Sequence, residues 1–287
     1  MITTACISTA KINWYIRVLD RRADGFHDIE TVFHEISLAD TIEFQSLTGG
    51  ECVIEGMPFK ILPEQNLICR AWSLMREQYP GCVGGLRARI NKIIPAGGGL
   101  GGGSSNAAFT LKAVNQLYSL QLDDRILETL AARLGSDAPF FIRGGCATGR
   151  GRGELLEPVC VRQSFHVVIV TPHERVPTTS AYARLDAMTR PATDHALEDV
   201  ASALAAGDPA RLSPLIHNDF ELVLADKPWF RRAVNALMSK GCLRAFLSGS
   251  GSAVVGLAEN AKACQTIARK LQHTRHWTAW PAYTTCK

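Results

Sequence analysis

The sequence predicts an α+β protein of two domains, and three observations support this prediction. The chain has 287 residues, which is enough for more than one hydrophobic core. Its first half has strand patterns, then a glycine-rich loop and helices. Beyond residue 158 the predicted order is strand, helices, strand, strand, helix, strand, which is the ferredoxin-like order. We therefore expect one domain over residues 1–157 and a ferredoxin-like domain over residues 158–287.

Strand patterns begin close to the N-terminus. Residues 10–19 alternate between apolar and polar side chains, which is typical of a strand with one buried face. Lys11 and Asn13 fall on the polar face, so alternation alone makes Lys11 an ordinary solvent-facing lysine. Further strands, whose short spacing indicates an antiparallel meander, are predicted over residues 29–37, 41–47 and 52–55.

The glycine-rich loop occupies residues 94–108, of which six are glycine. A strand predicted over residues 85–94 leads into the loop, and an amphipathic helix follows it. Ser104 or Ser105 is expected to be the N-cap of that helix, because serine accepts hydrogen bonds from first-turn N–H groups. Other helices in this half are predicted over residues 66–78 and 124–134.

The second half supplies the elements of the ferredoxin-like order. A continuous apolar run predicts a buried strand over residues 165–171. Helices follow over residues 195–206, 209–218, 227–240 and 261–272. The remaining strands are predicted over residues 244–247, 253–258 and 277–283, the first two joined by a serine- and glycine-rich turn.

Composition excludes several classes of protein. The net charge is only +4, and no basic run with interleaved aromatic residues suggests a nucleic-acid partner. No apolar run approaches the roughly 20 residues that cross a bilayer, and the N-terminus lacks a signal-peptide pattern. Nine cysteines without C-x-x-C spacing predict free thiols in a reducing compartment. We therefore expect a cytoplasmic enzyme with no membrane partner; the oligomeric state stays undetermined.

A glycine loop that runs into a helix N-terminus predicts a phosphate site, because bare N–H groups and the helix dipole favour an anion there. A flexible linker would not lie between an apolar strand and an amphipathic helix. The spacing G-x-G-x-x-G of a dinucleotide site is met by Gly97, Gly99 and Gly102. The acidic residue expected about 20 residues on would be Asp123 or Asp124, which begin a helix instead of ending a strand. A Walker A loop would need a lysine that this loop lacks.

The loop instead closely resembles the ATP loop of the GHMP kinases, because Pro95, Leu100 and the serine pair are in place as well as the glycines. The segments A-K-I-N-W-Y-I, R-A-D-G-F-H, G-S-D-A-P-F-F and L-S-G-S-G occur in order. Together they resemble one branch of this family, whose small-molecule substrate carries a cytidine diphosphate. The resemblance implies the two-domain GHMP kinase fold, in which a domain like domain 2 of ribosomal protein S5 precedes a ferredoxin-like domain. It also implies ATP and Mg²⁺ as cofactors.

The resemblance assigns roles in phosphoryl transfer. Asp137 matches the catalytic aspartate that would accept the proton of the acceptor hydroxyl, although its position before Pro139 equally suits a helix cap. Lys11 matches the lysine that would keep this aspartate ionised and stabilise the γ-phosphoryl, and Asn13 would help to hold the substrate. No carboxylate ligand for Mg²⁺ can be named, so phosphates, water and a serine hydroxyl would hold the ion. The implied ATP-binding residues are Lys92, Pro95, Gly97, Gly98, Gly99, Leu100, Gly101, Gly102, Gly103, Ser104 and Ser105.

The resemblance also assigns a cytosine pocket. His27 matches a residue that hydrogen-bonds the base, and Phe26 stands where the family commonly has a tyrosine. The Phe26 ring could still stack on the base, but the phenol hydroxyl is missing. Thr178 or Thr179, together with Tyr182, would line the far side of the pocket. Tyr182 is equally well explained as an aromatic residue on a helix face.

Two alternative functions are open at this point. Another GHMP activity, such as homoserine or mevalonate kinase, is disfavoured by the D-G-F-H stretch, because those substrates carry no base. A catalytically silent nucleotide-binding protein is disfavoured because both Lys11 and Asp137 are present.

Overall fold

The computed structural model describes residues 2–189, 195–272 and 274–286. Within them the strands are β1 (Thr3–Arg21), β2 (His27–Leu47), β3 (Cys52–Glu55), β4 (Gly85–Asn91), β5 (Cys146–Arg150), β6 (Leu155–Pro158), β7 (His166–Pro172), β8 (His217–Asn218), β9 (Arg244–Leu247), β10 (Val254–Ala258) and β11 (Trp277–Tyr283). The α-helices are α1 (Leu67–Gln78), α2 (Gly102–Leu117), α3 (Asp124–Ala132), α4 (Phe140–Arg143), α5 (Thr178–Asp186), α6 (Leu197–Ala206), α7 (Pro209–Leu212), α8 (Phe220–Leu224), α9 (Pro228–Ser239) and α10 (Ala261–Leu271).

The chain divides into two compact units, each built from separate segments. Unit 1 comprises Met1–Ala10, Ala39–Ala96 and Gly101–Gly144, and unit 2 comprises Lys11–Leu38, Gly97–Leu100 and Gly145–Lys287. The long strands β1 and β2 each contribute to both units. A domain boundary between residues 157 and 158 stays a prediction, because the compact units follow a different division.

Unit 1 combines β3, β4 and its portions of β1 and β2 with a layer of helices. Strand β4 pairs antiparallel with residues 41–47 of β2 and parallel with β3. Helix α1 packs on α2, and Asn66 caps α1 by accepting a hydrogen bond from the Ile68 amide. The apolar stripe of α2 is buried as its periodicity predicts, at Ala107, Leu111 and Val114.

Unit 2 contains an antiparallel sheet in the order β11-β7-β10-β9. Helices α9 and α10 pack on this sheet, with Leu237 and Ile267 in its buried core. Numbered along the chain, the four strands stand in the order 4-1-3-2 with helices between strands 1 and 2 and strands 3 and 4. The ferredoxin-like prediction is therefore confirmed.

Three local predictions are wrong. Residues 29–37 and 41–47 form one strand instead of two, and Asp40 between them is buried and hydrogen-bonded within that strand. The meander is also wrong, since β3 pairs parallel with β4. The helix predicted over residues 209–218 ends at Leu212 and is followed by a 3₁₀ turn and the short strand β8.

Strand β1 differs most from its sequence pattern. Ile12 and Trp14 are buried as expected, but Lys11 and Asn13 on the alternate face are also buried, each 2% exposed. The strand is therefore covered on both faces, and its polar face is not a solvent face. A buried lysine and a buried asparagine need polar partners, which makes them candidates for a site.

His34 on β2 is a buried neutral histidine whose hydrogen bonds define its tautomer. Trp14 Nε1 donates to His34 Nδ1 at 3.0 Å, so His34 Nε2 carries the proton and donates to the Thr285 carbonyl at 3.0 Å. Burial lowers the pKa of His34 from 6.5 to about 4. Protonation would place a second N–H donor against Trp14.

We expect this histidine to make the folded state sensitive to acid. Because the pKa of His34 is depressed on folding, its contribution is intact above pH 6.5 and is lost as the pH falls towards 4. The wild-type free energy of unfolding should fall by about 3 kcal/mol more than that of His34→Gln between pH 7 and pH 4. Urea unfolding across this range measures the difference, and parallel pH curves for the two proteins would contradict the prediction.

Two further observations concern the cysteines and the helices. All nine cysteines are free thiols in the structure. Among the described residues, no helix is both long enough and apolar enough to cross a membrane.

Candidate active site

The glycine loop opens helix α2 earlier than the sequence suggested. The helix begins at Gly102, and its N-cap is Gly101 in the left-handed conformation, with φ of +69°. Ser104 and Ser105 lie inside the first turn, so the prediction that one of them is the N-cap is wrong. In the described structure no side chain caps this helix end, which favours the binding of an anion at the first-turn N–H groups.

In unit 1, a buried carboxylate holds the two sides of the loop together. Asp40 is 0% exposed, and its Oδ1 accepts hydrogen bonds from the Ile93 and Ile94 amides at 2.7 and 2.8 Å. Its Oδ2 accepts from Asn106 Nδ2 at 2.9 Å and from Lys92. Asp40 therefore links the segment before the loop to the helix after it.

A second set of buried hydrogen bonds extends this network. Asn106 Nδ2 also donates to Ser8 Oγ at 2.8 Å, and the hydroxyls of Ser8 and Ser105 are 2.8 Å apart. Ser105 is one of the two serines predicted to bind ATP, but its hydroxyl is within hydrogen-bond distance of the Ser8 hydroxyl inside the protein. Ser104, on the adjacent position of the same turn, is only partly buried.

Lys92 forms an ion pair with Asp40 at 2.5 Å and lies against the start of α2. A Cβ atom on Gly102 would be 3.0 Å from Lys92 Nζ. Burial lowers the pKa of Lys92, while the hydrogen bond and the charge of Asp40 oppose this shift. A cation beside the positive end of a helix is unfavourable without an anion nearby, and Asp40 supplies that anion.

In unit 2, the middle of the loop is held by backbone contacts. The Lys11 amide donates to the Leu100 carbonyl at 3.0 Å, and the Ala253 amide donates to the Gly98 carbonyl at 3.0 Å. Ser248 Oγ donates to the Gly99 carbonyl at 3.1 Å. The turn at residues 248–252 and strand β1 therefore both position the loop.

Gly99 and Gly97 provide a matched pair of substitutions. Both have positive φ, +74° and +77°, but a Cβ on Gly99 would overlap the Ser248 carbonyl oxygen, whereas one on Gly97 would meet nothing within 4 Å. We expect Gly97→Ala to lower the free energy of unfolding by about 1–2 kcal/mol from backbone strain. Gly99→Ala should lose about 1–3 kcal/mol more from the overlap. Equal urea unfolding curves for the two variants would contradict this prediction.

Lys11 begins a buried chain of hydrogen bonds. Lys11 Nζ donates to Asn13 Oδ1 at 2.6 Å, and Asn13 Nδ2 donates to Thr31 Oγ1 at 2.8 Å. Thr31 Oγ1 in turn donates to the Tyr15 carbonyl at 2.7 Å. The ammonium also lies 5.2 Å from the centroid of the Phe33 ring. These contacts orient two residues that the sequence placed in the site, Lys11 and Asn13.

His27 and Tyr182, both predicted in the cytosine pocket, are in contact in unit 2. Their rings stack with centroids 4.8 Å apart and planes 14° from parallel. His27 Nε2 lies 2.7 Å from Asp186 Oδ1. A carboxylate accepts hydrogen bonds, so Nε2 donates and the neutral ring keeps Nδ1 as an acceptor. Asp186 was not recognised in the sequence.

The other predicted pocket residues have partners in the same unit. Phe26 is 51% exposed, and the Arg152 guanidinium lies 4.8 Å from the centroid of its ring. Of the two candidate threonines, Thr178 has its hydroxyl 3.0 Å from Ser250 Oγ. This contact joins α5, which carries Tyr182, to the turn that positions the loop.

Asp137 is half-buried in unit 1, in the turn before α4. The N-cap of α4 is Pro139, and no side chain caps this helix in the described structure. Both interpretations of Asp137, as a cap of the turn that Pro139 begins and as the catalytic aspartate, stay predictions. Pro95 lies just before the loop glycines, and its neighbour Ile94 is held by Asp40.

No group of three or more His, Cys, Asp or Glu side chains is placed to hold a metal ion among the described residues. In unit 1 the structure adds Asp40, Asn106 and Ser8 to the residues beside the glycine loop, and in unit 2 it adds Asp186 and Arg152 to the predicted pocket residues. Sequence reasoning missed them because their partners are distant along the chain. For Asp40 the sequence contains one signal of a buried role, because it is the single acidic residue between two predicted strands.

The loop and the ferredoxin-like sheet define a phosphate-binding α+β protein, and comparison with known proteins specifies its family. The GHMP kinases N terminal domain matches residues 66–145, and the GHMP kinases C terminal domain matches residues 200–275. The chain belongs to the GHMP kinases and is therefore an ATP-dependent kinase.

Two relatives illustrate this membership, and a third protein shares the fold. The 4-diphosphocytidyl-2-C-methyl-D-erythritol kinase of Mycolicibacterium gilvum (strain PYR-GCK) is 40% identical over 270 residues, 91% of this chain and 84% of that protein. A crystal structure of 4-(cytidine 5'-diphospho)-2C-methyl-D-erythritol kinase has a TM-score of 0.83 and 34% identity, covering 99% of this chain and 100% of that one. The mevalonate kinase of L. major, solved with R-mevalonate, has a TM-score of 0.79 at 18% identity, covering 100% and 97%. That last similarity is one of fold alone, and the predicted fold class is confirmed.

Proposed function

We propose that this kinase transfers the γ-phosphoryl group of ATP to the 2-hydroxyl of 4-diphosphocytidyl-2-C-methyl-D-erythritol, a step of non-mevalonate isoprenoid synthesis. The relatives that are named as kinases of this substrate match most of the chain, which favours the same substrate here. The structural observation that supports it best is the stack of His27 on Tyr182, because such flat, hydrogen-bonding side chains suit a nucleobase.

The loop and its helix would bind the phosphates of ATP. The uncapped N–H groups of the first turn of α2 attract anions, and the Asp40 network keeps that turn in place. Ser104 would hold Mg²⁺ together with the phosphates and water, where the ion would neutralise charge on the transferred group. The contact of Lys92 with Gly102 supports its proposed place near the nucleotide.

A cavity of about 530 Å³ in unit 1 is suited to the adenine ring. Its lining includes Ile54, Leu62 and Asn66, which is the N-cap of α1. A Cβ on Gly103 would lie 3.2 Å from the Leu67 side chain, so the start of α1 touches the start of the phosphate-binding helix. A cavity of this volume, lined by both apolar and polar groups and beside the proposed phosphate site, fits a purine.

Lys11 and Asp137 would carry the chemical step. A carboxylate can orient the acceptor hydroxyl and take its proton, and an ammonium can stabilise charge on the phosphoryl group. The hydrogen bond from Lys11 to Asn13 would direct the ammonium before substrate arrives.

Cytosine recognition would depend on the imidazole of His27. Because Nε2 donates to Asp186, the Nδ1 acceptor can receive a hydrogen bond from the exocyclic amino group of cytosine. Tyr182 and Phe26 would pack against the base. Phe26 would do so without the hydroxyl group of the tyrosine that the family commonly has at this position. Arg152 must share the ring of Phe26 with any base that stacks there.

A substrate panel tests the proposed reaction. ADP release should be measured with Mg²⁺-ATP and, in turn, the diphosphocytidyl methylerythritol, homoserine and mevalonate. We expect turnover of the cytidine substrate alone. Turnover of homoserine or mevalonate instead would reject the proposed substrate, and ATP binding without any turnover would favour the silent nucleotide-binding protein.

His27→Ala should raise KM for the cytidine substrate about tenfold or more, because a hydrogen bond to the base is lost together with a stacking partner. The KM for ATP should change by less than about twofold. Asp186→Asn should have a smaller effect of the same kind, since the ring loses only its anchor. His276→Ala, at an exposed histidine, is the control. Equal changes in both KM values would reject the cytosine role.

A further inference from the structure

The cavity in unit 1 has two cysteines in its wall that the proposed reaction does not use. Cys52 is the first residue of β3, and Cys69 lies in the first turn of α1. Their Sγ atoms are 3.3 Å apart and share a hydrogen bond, although the residues are 17 positions apart in sequence. Both side chains line the 530 Å³ cavity and a second cavity of about 680 Å³. Two thiols are therefore paired at a place that a small molecule can reach.

The pair is chemically asymmetric. The hydrogen bond that the thiols share lowers the pKa of Cys69 and raises that of Cys52, which burial raises further. Cys69 is thus the better source of a thiolate, and Cys52 is the neighbour that can displace a group bound to it. The two sulfur atoms would need to approach by only about 1 Å to reach bonding distance.

We propose that Cys52 and Cys69 form a dithiol site that reacts with low-molecular-weight disulfides and closes to an intramolecular disulfide. The Cys69 thiolate attacks one sulfur of a disulfide RSSR, forming a mixed disulfide and releasing RS⁻. Cys52 then loses its proton to solvent and attacks the Cys69 sulfur, and a second RS⁻ leaves. The two thiols are oxidised to a disulfide, and RSSR is reduced to two RSH after protonation.

The remaining cysteines supply controls within the same chain. Cys69 is itself buried, with 6% of its surface exposed, but it lines both cavities. Cys242 and Cys264 are buried in the core of unit 2 and line neither of these cavities, so reagents should reach neither of them. Cys82 is exposed and should take up a single group from the same reagent. Cys82 therefore reports that the reagent is active, and the buried pair reports that the protein stays folded.

The full chain should be incubated with oxidised glutathione, digested without reduction and examined by mass spectrometry. We expect a peptide linked between Cys52 and Cys69, reversible by dithiothreitol, with Cys242 and Cys264 unmodified. Cys52→Ser should stop the reaction at a glutathione adduct on Cys69, whereas Cys82→Ser should leave the link unchanged. Free Cys52 and Cys69, or a separate adduct on each, in a sample in which Cys82 is modified would overturn the proposal.

Closure of the bond should also affect the nucleotide site, an expectation that rests on the proposed function. The bond would draw α1 towards β3, and α1 touches Gly103 at the start of α2. We expect oxidation to raise KM for ATP several-fold in the wild type and to have no effect in Cys69→Ser. A linked peptide with unchanged KM for ATP would overturn this coupling, while the substrate panel tests the proposed reaction independently.

Discussion

Replacement of Asp137 by asparagine is expected to lower kcat by roughly 10²–10⁴, which is about 3–5 kcal/mol of barrier. Asparagine keeps the size and polarity of the side chain but cannot take the proton of the acceptor hydroxyl. The N-cap position of the following helix α4 is occupied by Pro139, and asparagine can keep the hydrogen bonds that an aspartate accepts through its side-chain oxygen. The loss should therefore appear in catalysis and not in the fold.

The measurement is ADP release at saturating ATP and cytidine substrate, with the melting temperature measured in parallel. Asp124→Asn, at an exposed position in the first turn of α3, is the matched control and should retain the wild-type kcat. Wild-type turnover by Asp137→Asn would remove Asp137 from the mechanism. A large fall in melting temperature would show that the residue has a structural role instead.

Replacement of Asp40 by asparagine is expected to lower the free energy of unfolding by about 3–5 kcal/mol. The carboxylate accepts hydrogen bonds from the backbone amides of Ile93 and Ile94, from Asn106 and from Lys92. The side-chain NH₂ group of asparagine is a donor, so it would face some of these N–H groups and could not accept from them. The variant also leaves the Lys92 ammonium buried without its anion. KM for ATP should rise as well, because Asp40 connects both sides of the loop.

Urea unfolding of single and double variants tests this account. Asp123→Ala is the control, because it removes an exposed carboxylate that caps α3 and should cost about 1 kcal/mol. In the Asp40→Asn background, Lys92→Met should restore part of the lost stability by removing the unpaired charge. A loss for Asp40→Asn no larger than that for Asp123→Ala would show that the network contributes little.

The predictions from the sequence were best where local pattern and local physics agree. The apolar stripe of α2, the helix that begins at Asp124, and the order of the ferredoxin-like strands are all found in the structure. These features depend on residues a few positions apart, so periodicity and capping chemistry reveal them. The roles of Lys11, Asp137 and His27 stay predictions from the family resemblance. The structure adds hydrogen bonds of Lys11 with Asn13 and of His27 with Asp186.

Other features depended on partners far along the chain. Strand β1 shows the alternation of a half-buried strand, yet the face that carries Lys11 and Asn13 is buried too. Asp40 falls between two strands that the sequence predicts, yet it lies within the single strand β2, where it holds the glycine loop. The link of His27 to Asp186 spans 159 positions and has no local signal.

The glycine loop, the helix after it and the ferredoxin-like order could therefore be predicted from the amino-acid sequence, because they follow from short-range spacing. The burial of the polar residues, the partners that orient them and the position of the open helix N-terminus became known from the folded chain. The physical reason is that alternation distinguishes the two faces of a strand but not which of them other elements cover. A buried polar group must be satisfied by a partner, and that partner is brought near only by the fold.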